Sequence, residues 1–193
     1  MKYYNKNELL KKIIYKFAKK RAEIIYNALE GFIRKEEIIL DVGCGSCNII
    51  EILKERNYNV VPLDIGDNSI IEGINPVVYD GEKMPFKENT FDKSMILAVL
   101  HHTNQQKILI KEVMRVTKKR IIIIEDVYTN KIDKLVTKFV DSLINLEFNG
   151  IQSNRTDSEW RNFFNTNGLR IVNVKFLKRY LVFKPVIYEL EIK

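Results

Sequence analysis

Apolar residues change their spacing several times along this chain, and each change marks an element. From Leu9 to Phe32 they recur in pairs one helical turn apart: Leu9/Leu10, Ile13/Ile14, Phe17/Ala18, Ile24/Ile25 and Ala28/Leu29, with lysines and Glu23 on the other face. That spacing predicts one long amphipathic helix or two shorter ones, with Gly31 as the stop. The pattern then tightens into a continuous apolar run, Ile38 to Val42, which breaks into Gly43-Cys44-Gly45-Ser46-Cys47 before a helix over 48–55. A second apolar strand, Asn59 to Asp64, ends in an acid. A short helix over 67–71, a third strand from Val77 to Asp80 and a fourth from Phe91 to Leu97 follow. A helix from about Gln105 to Val116 leads into Arg120 to Asp126, whose four isoleucines suit burial on both faces. A further helix is predicted from Lys131 to Leu146.

Thr156-Asp157-Ser158-Glu159 has capping-box spacing and opens a helix with Trp160, Phe163 and Phe164 inward, ended by Asn167-Gly168. Two strands close the chain, Leu169 to Leu177 and Tyr180 to Ile192, and their short connection makes them antiparallel. Strands alternating with helices, then a hairpin, predict an α/β fold with a mostly parallel sheet covered on both faces. At 193 residues, with no repeat, linker or low-complexity tract, one domain is expected. No apolar run approaches the roughly 18 residues of a membrane span. The N-terminal segment lacks a signal-peptide core, so a cytoplasmic protein is expected.

Charge and cysteines change this picture little. The net charge of +7 would suit nucleic acid, but the lysines are spread over many segments and no nucleic-acid module accompanies them. Solvated faces explain them better. Cys44 and Cys47 are the only cysteines. As C-x-x-C beside a helix start they suit a redox pair, though small residues filling a crowded turn explain them better. Zinc would need two more ligands.

The glycine turn is where backbone passes close to a ligand, either a dinucleotide or S-adenosylmethionine. A dinucleotide turn wants a third glycine where Asn48 stands. Both ligands contain adenosine, so Asp64 at the end of the second strand serves the ribose hydroxyls in either case.

The stretch Tyr79-Asp80-Gly81-Glu82-Lys83-Met84-Pro85-Phe86-Lys87-Glu88-Asn89-Thr90-Phe91-Asp92 separates the two. With Leu97-Ala98-Val99-Leu100-His101-His102 and Glu112-Val113-Met114-Arg115-Val116, it resembles the class I S-adenosylmethionine-dependent methyltransferases of small-molecule type, similar to the quinone and sterol C-methyltransferases. The resemblance covers about residues 36 to 127. It implies a Rossmann-like seven-stranded sheet with helices on both faces and a C-terminal antiparallel hairpin. Residues 1–34 would form a helical cap and 129–165 a helical lid.

The same resemblance assigns cofactor roles. Gly43 and Gly45 would meet the methionine part of S-adenosylmethionine, with Asp41 ordering the turn and reaching the amino group through water. Asp64 would hold the ribose and Ile65 pack on the adenine. Asp80 would accept from the adenine amino group beside Gly81, and Leu97 would close the pocket. Cys47 stands where the family has a third glycine, and Lys118-Lys119-Arg120 replaces a Pro-Gly-Gly turn.

His101 and His102, the only histidines, fall where the methyl group should sit. His102 is the candidate base or positioning group. His101, Asp126 and Tyr128 are candidate substrate contacts, and Glu125 precedes the last two. His102 with Glu125 or Asp126 matches no known metal signature, so no metal is expected. A small-molecule acceptor leads. An RNA methyltransferase and a noncatalytic cofactor-binding partner protein are the alternatives, and the oligomeric state is open.

Overall fold

The computed structural model describes residues 8–129, 133, 135, 153–179 and 182–193. Its elements are α1 (Glu8–Leu29), β1 (Ile38–Val42), α2 (Asn48–Glu55), β2 (Asn59–Asp64), β3 (Val77–Val78) and β4 (Phe91–Leu97). A 3-10 turn (Leu100–His102), α3 (Gln106–Val116), β5 (Thr117–Asp126), α4 (Asp157–Thr166), β6 (Leu169–Phe176) and β7 (Pro185–Ile192) follow. The seven strands form one sheet in the order β3-β2-β1-β4-β5-β7-β6. The first five are parallel, while β7 runs antiparallel to both β5 and β6. The chain reverses its strand order between β1 and β4, so a crevice opens at their carboxyl ends.

Strand alternation sends neighbouring side chains to opposite faces, and both faces are buried. Ile121 and Ile123 point into a core with Leu109, Val113 and Val116 of α3 and Trp160, Phe163 and Phe164 of α4. Ile122 and Ile124 point the other way, among Ala22, Ala28 and Leu29 of α1 and Ile50 and Leu53 of α2. The four isoleucines of β5 thus divide between two layers. Trp160 is fully buried and stacks on Phe164 with ring centroids 5.7 Å apart. The capping box of α4 forms as its sequence predicts, Thr156 and Glu159 satisfying each other's backbone N–H groups.

Some boundaries move. No helix forms over 67–71. Instead Asp67 accepts from the Ser69 N–H at 3.2 Å and the Ser69 hydroxyl accepts from Ile71, local bonds that compete with helix. β3 stops at Val78 rather than Asp80, whose carboxylate turns to the N–H groups of Glu82 and Lys83. β5 starts at Thr117, with no loop after α3, and the Thr117 hydroxyl donates back to the Val113 carbonyl at 2.5 Å. β7 begins at Pro185, so the hairpin connection is longer than expected. The helix over 131–146 lies outside the described residues except for Asp133 and Leu135, which are helical. Among the described residues, no helix is long and apolar enough to cross a membrane.

Candidate active site

β1 and β2 deliver the glycine turn. The N–H groups of Gly43 and Cys44 both donate to the Leu63 carbonyl, at 2.8 and 3.2 Å, which folds the turn over the end of β2. Gly43 has φ +76°, and a Cβ there would lie 2.6 Å from Val99 Cγ2. The close approach that requires glycine at 43 is therefore to Val99, which follows β4. Gly45, at φ +51°, differs: nothing lies within 4 Å of where its Cβ would be. The cradle for a ligand opens at Gly45.

Asp64 fastens this cradle. Its Oδ2 accepts from Gly45 N–H and its Oδ1 from Ile65 N–H, both at 2.7 Å. One carboxylate thus fixes the turn after β1 and its own strand end, leaving further lone pairs on each oxygen for a diol. Cys47 (φ 60°) is the N-cap of α2 and makes no side-chain cap. Its sulfur lies 3.4 Å from that of Cys44, and both are free thiols in the core. That contact pulls the Cys47 thiol down and pushes the Cys44 thiol up, with burial adding to the latter.

Asp41 is the electrostatic anomaly. It is 1% exposed, and neither carboxylate oxygen has a hydrogen-bond partner. Burial, then the neighbouring Cys47 and Asp64, push its pKa up to about 8. A carboxyl so placed stays protonated at neutral pH unless a cation such as an ammonium group reaches it.

Across the turn, Ile65 is 69% exposed although strongly apolar. Gly81 (φ +85°) places its missing Cβ 3.5 Å from Ile65 Cγ2, so these two residues form one small apolar corner suited to a planar base. Asp80 sits beside it on the surface, its pKa held below the ordinary value by the Lys83 and Glu82 N–H groups. Gly45 is thus joined to Asp64 by a hydrogen bond and Ile65 to Gly81 by contact, with Asp41 close enough to Asp64 to feel its charge and Asp80 next to Gly81.

The second half of the site hangs from β4 and β5. After half-buried Leu97, Ala98 takes the left-handed conformation (φ 59°), uncommon for a residue with a side chain. This bend swings the chain into the 3-10 turn carrying both histidines. His101 is 3% exposed, and its Nδ1 lies 2.6 Å from Glu125 Oε2. Glu125 is fully buried at the end of β5, and its other oxygen accepts from Val99 N–H (3.1 Å) and Leu100 N–H (2.7 Å). His101, expected beside the substrate, is thus placed in the interior. His102 is half-buried, its ring centroid 4.0 Å from that of His101. Asp126 is half-buried at the end of β5, and the Tyr128 hydroxyl donates to Glu159 at 3.2 Å. Among the described residues, no three His, Cys, Asp or Glu side chains are placed to hold a metal ion.

From sequence alone Glu125 is a candidate substrate contact or a metal partner of His102. Its role in holding His101 and the turn depends on a pairing across 24 positions, and no local motif announces it. Val99 was legible only as part of a motif.

Comparisons with known proteins bear on the domain and the fold. Residues 40–124 match the family model described as a methyltransferase domain. An uncharacterized protein of Methanocaldococcus jannaschii is 31% identical over 90 residues, covering 45% of this chain and 39% of that protein. The match thus spans about two-fifths of that relative's length. A solved S-adenosylmethionine-dependent methyltransferase of Methanosarcina mazei is 20% identical, with a TM-score of 0.67 over 85% of this chain and 96% of its own. Magnesium protoporphyrin IX methyltransferase of Synechocystis, solved with bound S-adenosylhomocysteine, is 16% identical, with a TM-score of 0.62 over 91% of this chain and 83% of its own.

Proposed function

We propose that this chain, which matches a methyltransferase-domain model over residues 40–124, is a class I S-adenosylmethionine-dependent methyltransferase and transfers a methyl group to a small-molecule acceptor. The cofactor supplies an electrophilic methyl group on a sulfonium, so the protein has chiefly to bind, orient and exclude water. The observation that carries the cofactor assignment is the buried, unpartnered carboxyl of Asp41 beside the open cradle at Gly45. An amino-acid ammonium supplies the missing partner. Asp64 offers its remaining lone pairs to ribose hydroxyls, Ile65 and Gly81 flank the adenine, and Asp80 and Leu97 border the pocket.

His102 is the group we assign to the reacting side. Its neighbour His101 is anchored by Glu125, and the His102 ring packs against it in a tilted arrangement. From there an imidazole can accept the proton of a hydroxyl or amine nucleophile, or orient one that needs no base. Asp126 and Tyr128 lie at the same sheet edge and serve as acceptor contacts.

A small acceptor is favoured over RNA because many cations of this basic chain are already engaged. Lys19, Lys93, Lys118, Lys119, Arg120 and Arg170 all form ion pairs with carboxylates. The test is incubation of the purified chain with labelled S-adenosylmethionine and either a low-molecular-weight metabolite extract or total RNA. Label in small molecules alone supports the reading. Label in RNA overturns it, and tight cofactor binding with no transfer to either pool marks a noncatalytic protein.

A further inference from the structure

Among the described residues, Arg155 is a half-buried guanidinium that closes no ion pair. It packs against two rings, its central carbon 4.6 Å from the Trp160 centroid and 4.8 Å from that of Phe163. Nη1 is buried and has no hydrogen-bond partner. An arginine with no task would extend to water, where its five donors are satisfied without cost. Burial pulls its pKa down, and Glu159, Glu125 and Tyr128 act in the opposite direction without closing an ion pair.

The residue beside it is anomalous as well. Asn154 is 7% exposed, and its Oδ1 has no partner. Both residues line a cavity of about 440 Å³, with Lys107, Tyr128, Ser153 and Glu159 also in its wall. That volume suits a small ligand. Of the charged groups lining it, Lys107 and Arg155 are cationic and Glu159 is anionic. Glu159 Oε2 already accepts from the Tyr128 hydroxyl and from the Thr156 N–H and hydroxyl.

The cavity adjoins the proposed reacting edge. Arg155 bridges Val127, one residue beyond the end of β5. Ser153 N–H donates to the His101 carbonyl at 2.9 Å.

We propose that Arg155, with Lys107 and Asn154, forms a subsite that binds an oxyanion of the methyl acceptor. The acceptor then carries a carboxylate or phosphate for the two cations, and a hydroxyl or amine that donates to Asn154 Oδ1. A guanidinium held beside two aromatic rings keeps its charge and its remaining donors in place for either oxyanion. The subsite rests on the methyltransferase reading for its role but not for its existence.

The test titrates the full chain, with S-adenosylhomocysteine present, with inorganic phosphate, with glycolate and with neutral ethylene glycol, following the arginine Nε–H resonances by NMR. The Arg155 signal should shift saturably with phosphate, glycolate or both, and not with ethylene glycol. Response to phosphate alone identifies a phosphorylated acceptor, and response to glycolate alone a hydroxy- or amino-carboxylate. Arg155→Gln should weaken that binding roughly ten- to a hundredfold. Lys107→Gln, an exposed change that leaves the fold intact, should weaken it about two- to fivefold and flatten its salt dependence. No shift with either anion, or equal affinity in both variants, overturns the subsite. A separate calorimetric titration with S-adenosylmethionine keeps the two ideas apart. Anion binding without cofactor binding would retain the subsite and remove the methyltransferase reading.

Discussion

At the β1–β2 end of the crevice, the working atoms are backbone atoms and short acids set by two adjacent strand ends. At the β4–β5 end they are long side chains brought together from distant segments. Gly43, Gly45 and Asp64 are joined through the carbonyl of Leu63 and the N–H of Gly45. His101, Glu125, Ser153 and Arg155 meet only because the 3-10 turn, β5 and the segment before α4 converge. The first end suits a ligand whose shape never varies. The second allows acceptor chemistry to change while the sheet stays the same.

The strongest way to break this contrast is at Glu125. Its carboxylate holds His101 and two backbone N–H groups in a fully buried site, so Glu125→Ala should cost about 3–5 kcal/mol in denaturant unfolding. A loss below 1 kcal/mol would mean that the β4–β5 end does not depend on this hub.

The two glycines of the turn sharpen the other side. Gly43→Ala drives a Cβ against Val99 at a left-handed backbone position and should cost about 2–4 kcal/mol. Gly45→Ala meets no protein atom and should cost only about 1–2 kcal/mol, from its backbone conformation. Its main effect should be on cofactor affinity measured by calorimetry. If the two variants melted alike and bound cofactor alike, the separate duties assigned to Gly43 and Gly45 would be wrong.

Asp41 gives a subtler effect with a definite sign. Its folded pKa, about 8, lies above the ordinary 3.8. Between these values the unfolded chain releases a proton that the folded chain keeps. Asp41 therefore lowers stability as pH rises from about 4 to 8, by at most about 1.4 kcal/mol per pH unit, with no further change above. Asp41→Asn should remove that slope. Binding of a cofactor ammonium draws the pKa back down, so titrations at pH 7 in buffers of different ionisation enthalpy should reveal proton release. Proton uptake, or none, would argue against an ammonium beside Asp41.

The same contrast explains what the sequence made legible. The apolar run Ile38 to Val42, the Gly43-Cys44-Gly45 turn and the acid at Asp64 are local, and their period and turn chemistry predict the parallel sheet and one end of the crevice. The helix expected over 67–71 failed because side-chain bonds by Asp67 and Ser69 outcompete a short helix. His101 read as a substrate contact because sequence places a residue at a strand end without fixing which way its ring turns. The left-handed bend at Ala98 turns it inward to Glu125. Arg155 gave no signal at all. A single arginine in a polar stretch looks like solvent decoration until two aromatic rings and an empty acceptor position appear around it.

The most direct test of the division between the two ends is a pair of calorimetric titrations with S-adenosylmethionine, on Asp64→Ala and on His102→Ala. Asp64→Ala removes the clamp on the turn and the ribose acceptor together, and should weaken binding by about 1.5–3 kcal/mol, roughly ten- to a hundredfold. His102→Ala should stay within about twofold of the parent chain while methyl transfer slows by about a hundredfold. Unchanged affinity in Asp64→Ala, or equal losses in both variants, would contradict the account.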